Sequence, residues 1–320
     1  MRAVVVSSLG GPEVLEPRDL ADPLPGPGEI LIDVAASGVN YIDTYQRTGL
    51  YPMPMPFVPG VEGAGTVSAL GENVTGFAVG DPVAWVNVPG GYAQKAVIPA
   101  DKVIAVPSGV WIEDAAAVLL QGLTAHYLTH STYPVQPGDV ALVHAAAGGV
   151  GQLLTQMVKL LGGRVIGTVS TEEKEKIARE AGADEVLRYD DFATAAREFT
   201  GGAGVHVVYD GVGAATFEGS LNSLRPRGMM ALYGQASGPV SPVDPQRLAA
   251  GGSLFLTRPS LGAYLATPEE LRTRTADIFR LLASGALSVR IFQRYNLDDA
   301  RKAHEDLESR RTTGKLLLLP

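Results

Sequence analysis

Apolar residues follow two different rhythms along the chain. From residue 1 to about 120 they come in short runs: AVVV at 3–6, EILIDVAA at 29–36, GAGTVSAL at 63–70, DPVAWV at 81–86 and AQKAVIP at 93–99. Stretches rich in proline and glycine, such as DPLPGPGE and YPMPMPFVPG, separate them. Each run therefore reads as a strand bounded by turns, and the region as a β-rich, barrel-like domain with little helix. At LLQGLTAHYLTH, 119–130, apolar residues three and four apart predict a helix instead.

From residue 139 strands and helices alternate: DVALVHA, a helix over 149–162, RVIGTVS, a helix over 171–181, EVLRYD, a helix over 191–199, VHVVYDGVG, a helix over 215–224, then MMALYG. Five strands with helices between them predict an α/β, doubly wound parallel sheet, because parallel neighbours need crossover connections. After SLFLTRPSL, the segment PEELRTRTADIFRLLASG predicts a strong helix with proline in its first turn and glycine at its end. The last stretch, LSVRIFQRYNLDDARKAHEDLESRRTTGKLLLLP, reads as strand, helix, strand and is expected to return to the first domain. The chain has no internal repeat and no low-complexity segment.

Composition narrows the function classes. At 320 residues two domains are expected rather than one. With 46% hydrophobic and 19% charged residues the chain reads as compact rather than disordered. A formal net charge of -8 opposes binding to nucleic acid or to an anionic membrane. Cysteine is absent, which removes disulfides, thiolate nucleophiles and every cysteine-containing zinc site. The opening MRAVVVSSLGGPEVL offers a four-residue apolar run where a signal peptide needs about 7 to 15, so a cytoplasmic protein without membrane insertion is expected.

HAAAGGVGQ, 144–152, turns from a predicted strand into a predicted helix, and its small residues Ala145, Gly148 and Gly151 spell AxxGxxG rather than GxGxxG. Such a turn lets the backbone approach a pyrophosphate, whose charge then faces the amides that open the helix. Ala147, Gly148, Gly149, Val150 and Gly151 are thus candidate cofactor residues. The competing explanation is a turn whose glycines serve packing alone. An NAD site places Asp or Glu at the tip of the second strand, about 20 residues on, but here RVIGTVST ends in Ser170 and Thr171. Ser170, Lys174 and Tyr189 supply a hydroxyl, an ammonium and a phenol for a 2′-phosphate, which favours NADPH. Ser170 with Glu173 also fits a capping box, Lys174 a solvated helix charge and Tyr189 a core position.

Residues 138–159, GDVALVHAAAGGVGQLLTQMVK, resemble the signature of the quinone oxidoreductases and zeta-crystallins of the medium-chain dehydrogenase/reductase superfamily. The resemblance extends to GGPEVL, GVNYIDTYQRTGLYP, PGVEGAGTV, GDPVAW, VVYDGVG and GSLFLTRPSL, essentially the whole chain. It implies a Rossmann dinucleotide-binding domain, 122–261, inserted into a β-rich GroES-like catalytic domain formed by 1–121 and 262–320. It further implies a cleft joining the two and a homodimer paired through the strand in SLFLTRPSL.

By the same resemblance Asn40, Tyr45 and Tyr51 surround the nicotinamide and substrate, with Asn40 bonding to the cofactor's ribose or amide. Gln121 and Thr124 approach the nicotinamide, Gly213 the adenosine side, and Tyr233, Gly234 and Leu261 line the nicotinamide. Arg310 reaches the cofactor from the returning domain. Zinc-dependent members of the superfamily carry a cysteine in the segment equivalent to SGVNYID, a histidine in a GHE motif and a further cysteine. Here Asn40 and Val61 stand at the first two places, and the chain has no cysteine. His126 and His130, four apart on a predicted helix, lack the carboxylate pairing of a metal motif. Without a Lewis acid the substrate is expected to be electron-poor, a quinone or another conjugated carbonyl. An enal, enone or enoyl-thioester reductase fits the same scaffold, and a zeta-crystallin-type structural or RNA-binding protein is the non-enzymatic alternative.

Overall fold

The computed structural model describes residues 1–320, which divide into two compact units: Met1–Leu123 with Leu265–Pro320, and Thr124–Tyr264.

The first unit opens with a two-stranded antiparallel ribbon, β1 (Arg2–Val5) and β2 (Glu16–Asp19). There follow β3 (Glu29–Val39), α1 (Tyr41–Arg47), β4 (Glu62–Leu70), β5 (Pro82–Val86), β6 (Lys95–Pro99), β7 (Val103–Ala105) and α2 (Ile112–Tyr127). The 11-residue β3 is long enough to pair with three neighbours, β4, β6 and the last strand of the chain. Ile30, Ile32, Val83, Trp85 and Ile98 converge in one core beneath this sheet. The short helix α1 lies in a region whose sequence reads as almost wholly β. It forms because Asp43, at the third helical position, accepts from the Asn40 N–H at 2.8 Å and so satisfies an amide at the helix start. Helix α2 runs on through residue 121, and the division between the units falls inside it, after Leu123.

The second unit continues with β8 (Val140–Val143), α3 (Gly149–Leu160), β9 (Arg164–Thr168), α4 (Glu172–Glu180), β10 (Glu185–Leu187), α5 (Phe192–Phe199), β11 (Val205–Asp210), α6 (Phe217–Ser223), β12 (Leu224–Leu232), α7 (Gln246–Ala250) and β13 (Phe255–Thr257). Six strands form one all-parallel sheet in the order β10-β9-β8-β11-β12-β13. Numbered within the unit this is 3-2-1-4-5-6, the Rossmann order, and its topology reverses between β8 and β11. Beyond the five strands read from the alternation, SLFLTRPSL, which the resemblance gave as an edge strand, supplies the sixth, at the sheet's edge, with Phe255 57% exposed. The sequence reading of a capping box on Ser170 and Glu173 is corrected: α4 is capped one residue later, where the Thr171 hydroxyl accepts from the Lys174 N–H. Thr171 has the extended backbone a cap requires.

The chain then returns to the first unit through α8 (Pro268–Ala283), β14 (Ile291–Asn296), α9 (Ala300–Glu308) and β15 (Lys315–Leu319). A full capping box between Thr267 and Glu270, with Pro268 in the first turn, fixes the start of α8. Strand β15 enters the sheet between β14 and β3, so the end of the chain lies beside the residues that lead into α1.

Candidate functional site

In the second unit the turn after β8 is built around backbone approach. Ala145 adopts φ 50°, the left-handed region that glycine usually fills, so the AxxGxxG loop keeps the conformation of a glycine turn despite the methyl group. The Gly148 N–H donates to Ala145 O at 2.8 Å and closes the turn. Gly151 lies directly over it: a Cβ there would stand 2.3 Å from Ala145 O and 2.8 Å from Ala146 Cα. Gly148 caps α3 and offers no side chain to its first amides. The N–H groups of Gly149, Val150 and Gly151 open the helix with no intrahelical partner, as a bound phosphate requires.

A buried network underpins this turn. Asp210, at the end of β11, accepts from the Val212 N–H at 2.8 Å, the Gly213 N–H at 2.9 Å, Thr216 Oγ1 at 2.7 Å and Ser220 Oγ at 2.9 Å. The Ser220 hydroxyl is thereby spent as a donor, so it accepts from His144 Nε2 at 2.9 Å. That leaves His144 Nδ1 as the acceptor for the Thr168 hydroxyl at 2.8 Å. Burial pushes the His144 pKa down against the attraction of Asp210, which suits a neutral ring with a fixed tautomer. The ends of β8, β9 and β11 and the first turns of α6 are thus tied into one unit beneath the glycine turn.

Around the turn, the Tyr189 hydroxyl accepts from the Ala145 N–H at 3.1 Å, and the Tyr189 ring stacks on His144 with centroids 6.1 Å apart. Lys174 Nζ donates to Ser170 Oγ at 3.4 Å. Gly213, at φ 92°, would bring a Cβ to 2.8 Å from Gly238 O, and a Cβ on Gly234 would stand 2.6 Å from Gly211 O. The loops after β11 and β12 are therefore packed backbone to backbone, and Tyr233 covers Gly211. Leu261 opens the 3-10 turn Leu261–Tyr264, half-buried. Thr124 is buried on α2. His126 and His130 stack face to face, centroids 4.1 Å apart and planes within 2°, an arrangement that packs the rings rather than converging their nitrogens on one point.

In the first unit Asn40 is buried at the junction of β3 and α1. Its Nδ2 donates to Glu62 Oε1 at 2.8 Å, and Lys315 Nζ donates to its Oδ1 at 2.7 Å and to Glu62 Oε1. Tyr45 follows one turn along α1, and its ring meets that of Tyr51 edge to face at 5.4 Å. Gln121 is buried on α2, with its Oε1 lacking any protein hydrogen-bond partner. Arg310 has φ 58° and lies beside Tyr41, whose phenol it holds down against the upward push of burial.

A chain of buried groups secures α1 from below. Arg47 can only donate, so His304 Nδ1 accepts from it at 2.9 Å and the ring proton sits on Nε2, facing the Tyr92 hydroxyl at 3.0 Å. Tyr92 donates onward to Asp43 Oδ2 at 3.1 Å. Burial, with Arg47 adjacent, pushes His304 down to about 3, and burial pushes Asp43 up to about 7. These shifts keep His304 neutral at physiological pH and place the Asp43 titration near neutrality.

Two family models match the chain, an alcohol dehydrogenase GroES-like domain over residues 26–108 and a zinc-binding dehydrogenase over residues 149–278. A quinone oxidoreductase of Pseudomonas aeruginosa is 46% identical over 100% of this chain and 99% of its own length. The chain belongs to the quinone oxidoreductase family of the medium-chain dehydrogenase/reductase superfamily. A mycobacterial protein solved in complex with NADPH shares 52% identity and a TM-score of 0.97 over 100% of both chains. A 2-haloacrylate reductase of a Burkholderia species is 41% identical over 99% of this chain and 98% of its own length.

Zinc does not fit this member of the family. Where a ligand set would begin stand Asn40 and Val61, and the adjacent carboxylate, Glu62, is already paired with the Lys315 ammonium. No helix is long and apolar enough to cross a membrane. The sequence reading missed Glu62, Lys315, Asp210, Ser220 and Thr168, all fully buried. The only sequence signal for Lys315 is a lone charge opening an otherwise apolar strand, KLLLL.

Proposed function

We propose that this chain is a zinc-independent, NADPH-dependent quinone oxidoreductase that passes reducing equivalents from NADPH to a quinone or a similar conjugated carbonyl. The observation that carries this reading is the turn between β8 and α3. It has a backbone cradle that a Cβ at Gly151 would fill, and it opens a helix whose first amides face no cap. These features fit a dinucleotide pyrophosphate at the topological switch point of the sheet. Gly213, Tyr233, Gly234, Thr124 and Leu261 are assigned to the remainder of the cofactor in this reading, and Arg310 to a supporting contact.

The tip of β9 carries Ser170 and no carboxylate, with the Lys174 ammonium beside it, which supports a 2′-phosphate and hence NADPH. Bound NADPH would supply a hydride. The protein's own part is to orient both partners: Asn40 and Gln121 offer polar atoms to the cofactor, while the edge-to-face pair Tyr45 and Tyr51 offers apolar surface and a phenol to a flat ring. Lacking a Lewis acid, such a site serves a substrate that is already electron-poor. The likeness to a 2-haloacrylate reductase supports a second reading, reduction of a carbon–carbon double bond conjugated to a carbonyl.

Steady-state turnover across quinones and conjugated enals, with NADPH and NADH, tests both readings. A hydroquinone product supports the first, a saturated carbon bond the second, and no turnover with any acceptor removes both. In the same assay Lys174→Ala is expected to raise KM for NADPH about tenfold, the worth of one charge-assisted contact, and to leave NADH nearly unaffected. An equal loss for both cofactors would remove Lys174 from the phosphate site.

The same reading places the protein in the cytoplasm, where NADPH is available. The same reading pairs two copies through the open edge of β13, where Phe255 is exposed. A single-chain mass by sedimentation would remove that part of it.

A further inference from the structure

Lys315 and Glu62 form an ion pair in which both side chains are fully buried. Such a pair is a poor source of stability, because desolvating two charges offsets much of their attraction. Its surroundings indicate what it does instead. Oε1 of Glu62 takes Lys315 and the Asn40 Nδ2, while Oε2 accepts from the backbone N–H of Leu120 at 2.7 Å, next to Gln121 on α2. The Ser37 hydroxyl donates to Glu62 O at 2.9 Å. Gly38 leaves room for the pair: a Cβ there would stand 2.1 Å from Glu62 Oε1 and 2.5 Å from Lys315 Cε.

Hydrogen-bond polarity then settles the orientation of the Asn40 amide. Lysine only donates, and an ionised carboxylate only accepts. Oδ1 must therefore face Lys315 and Nδ2 must face Glu62, as observed at 2.7 and 2.8 Å. The second Nδ2 hydrogen is directed at Gly38 O, at the longer distance of 3.4 Å. Both Nδ2 hydrogens are thereby committed, so what the amide can still offer is acceptance at Oδ1, which also faces the Asp43 N–H that opens α1.

We propose that the buried Lys315–Glu62 pair locks Asn40 as a hydrogen-bond acceptor toward the cofactor's nicotinamide half, so that Lys315 is a positioning residue for the reaction. The proposal rests on the reading of the chain as an NADPH-dependent reductase. In that setting Asn40 accepts from a ribose hydroxyl or from the carboxamide N–H, and does not donate to the oxygen of the substrate. Lys315, fully buried, acts only through Asn40 and Glu62.

A double-mutant cycle on the full-length protein tests this, using Lys315→Met, Asn40→Ala and their combination. Two quantities are read: NADPH oxidation by stopped flow with the best acceptor, and the emission of bound NADPH without acceptor. Each single variant is expected to slow oxidation about 10- to 100-fold, the scale of a displaced reactive group, with KM for the acceptor changed far less. Both are expected to shift the emission alike, and the combined variant to be no worse than Asn40→Ala alone. If the two losses multiply, or if Lys315→Met leaves rate and emission unchanged, the proposal is overturned.

Lys315→Met leaves Glu62 as a buried, uncompensated charge, so Lys315→Met with Glu62→Gln serves as the second background. It removes both charges but leaves one carboxamide oxygen to serve either Asn40 Nδ2 or the Leu120 N–H, so it is expected to restore the native fold by circular dichroism while the rate stays near that of Lys315→Met. A wild-type rate in this folded variant overturns the proposal, because the two charges would then not be needed to hold the amide. If the unaltered protein binds NADPH but reduces no acceptor, the assigned reaction fails while the emission cycle still decides the role of Lys315. If it does not bind NADPH, both fail.

Discussion

Gly151→Ala is expected to weaken NADPH binding about 100-fold while the protein remains folded. The added Cβ would sit 2.3 Å from Ala145 O and 2.8 Å from Ala146 Cα, both backbone atoms of the same turn, so no flexible side chain can yield. Either the start of α3 lifts or the turn opens, and both movements pull the amides of Gly149, Val150 and Gly151 away from a bound phosphate. Losing one such charge-assisted bond costs about 1.5–3 kcal/mol, or roughly ten- to 100-fold in affinity, and the displaced helix start disturbs more than one. Gly148→Ala is the internal control. Its Cβ would meet only Ala145 O, at 3.1 Å, a contact relieved by a few tenths of an ångström, and a much smaller loss is expected. Titrating NADPH against both variants by nicotinamide fluorescence checks this; wild-type affinity in Gly151→Ala would mean that the cofactor does not use the turn.

The second large effect is expected at Asp210. Its carboxylate is fully buried and accepts four hydrogen bonds, from Val212, Gly213, Thr216 and Ser220. Asp210→Ala removes the acceptor of two amides and of the Ser220 hydroxyl, while Thr216 keeps Gly213 O, at 3.2 Å, as its remaining acceptor. Each buried donor left without an acceptor costs about 1–3 kcal/mol, so a loss of about 3–5 kcal/mol is expected, a large fraction of the total stability of an ordinary domain. Asp210→Asn keeps one oxygen as an acceptor but turns an N–H₂ toward existing donors, so it is expected to lose about half as much. Urea denaturation followed by circular dichroism reads both. A loss below about 1 kcal/mol in Asp210→Ala would show that water or rearrangement replaces the carboxylate at little cost.

The two kinds of network differ in how much of them the sequence discloses. The glycine turn was legible because its residues are contiguous and sit between a buried strand and an amphipathic helix, a context that gives small side chains a mechanical meaning. The α/β rhythm was legible for the same reason, since hydrophobic periodicity is a local property. Helix α1 was not, because YIDTYQR has little amphipathic pattern and depends on Asp43 reaching back to the Asn40 N–H. The sixth strand of the parallel sheet, Phe255–Thr257, is too short to announce itself by pattern alone.

Long-range polar partners were beyond reach altogether. Lys315 lies 253 residues from Glu62 and 275 from Asn40 in sequence, and nothing in KLLLL says which acceptor the lysine will find. His144 illustrates the same limit. Its identity is plain in HAAAGGVG, yet its tautomer follows from Ser220, 76 residues away, which is itself committed to Asp210. Candidates named by resemblance carry no geometry with them. The structure adds that Asn40 is already held by two charged groups, that Gln121 keeps an unpartnered oxygen and that Arg310 lies against Tyr41.

The internal ammonium also bears on how metal-dependent and metal-free members of one superfamily can interconvert. Restoring ligands at positions 40 and 61 alone would place a dication next to Lys315, whose Nζ now stands 2.7 Å from the Asn40 oxygen. Two like charges at such range, away from water, repel, and only Glu62, paired with Lys315, offsets that repulsion. A route between the two chemistries therefore involves the end of the chain as well as its beginning, because the Lys315–Glu62 pair has to be accommodated together with the ligands.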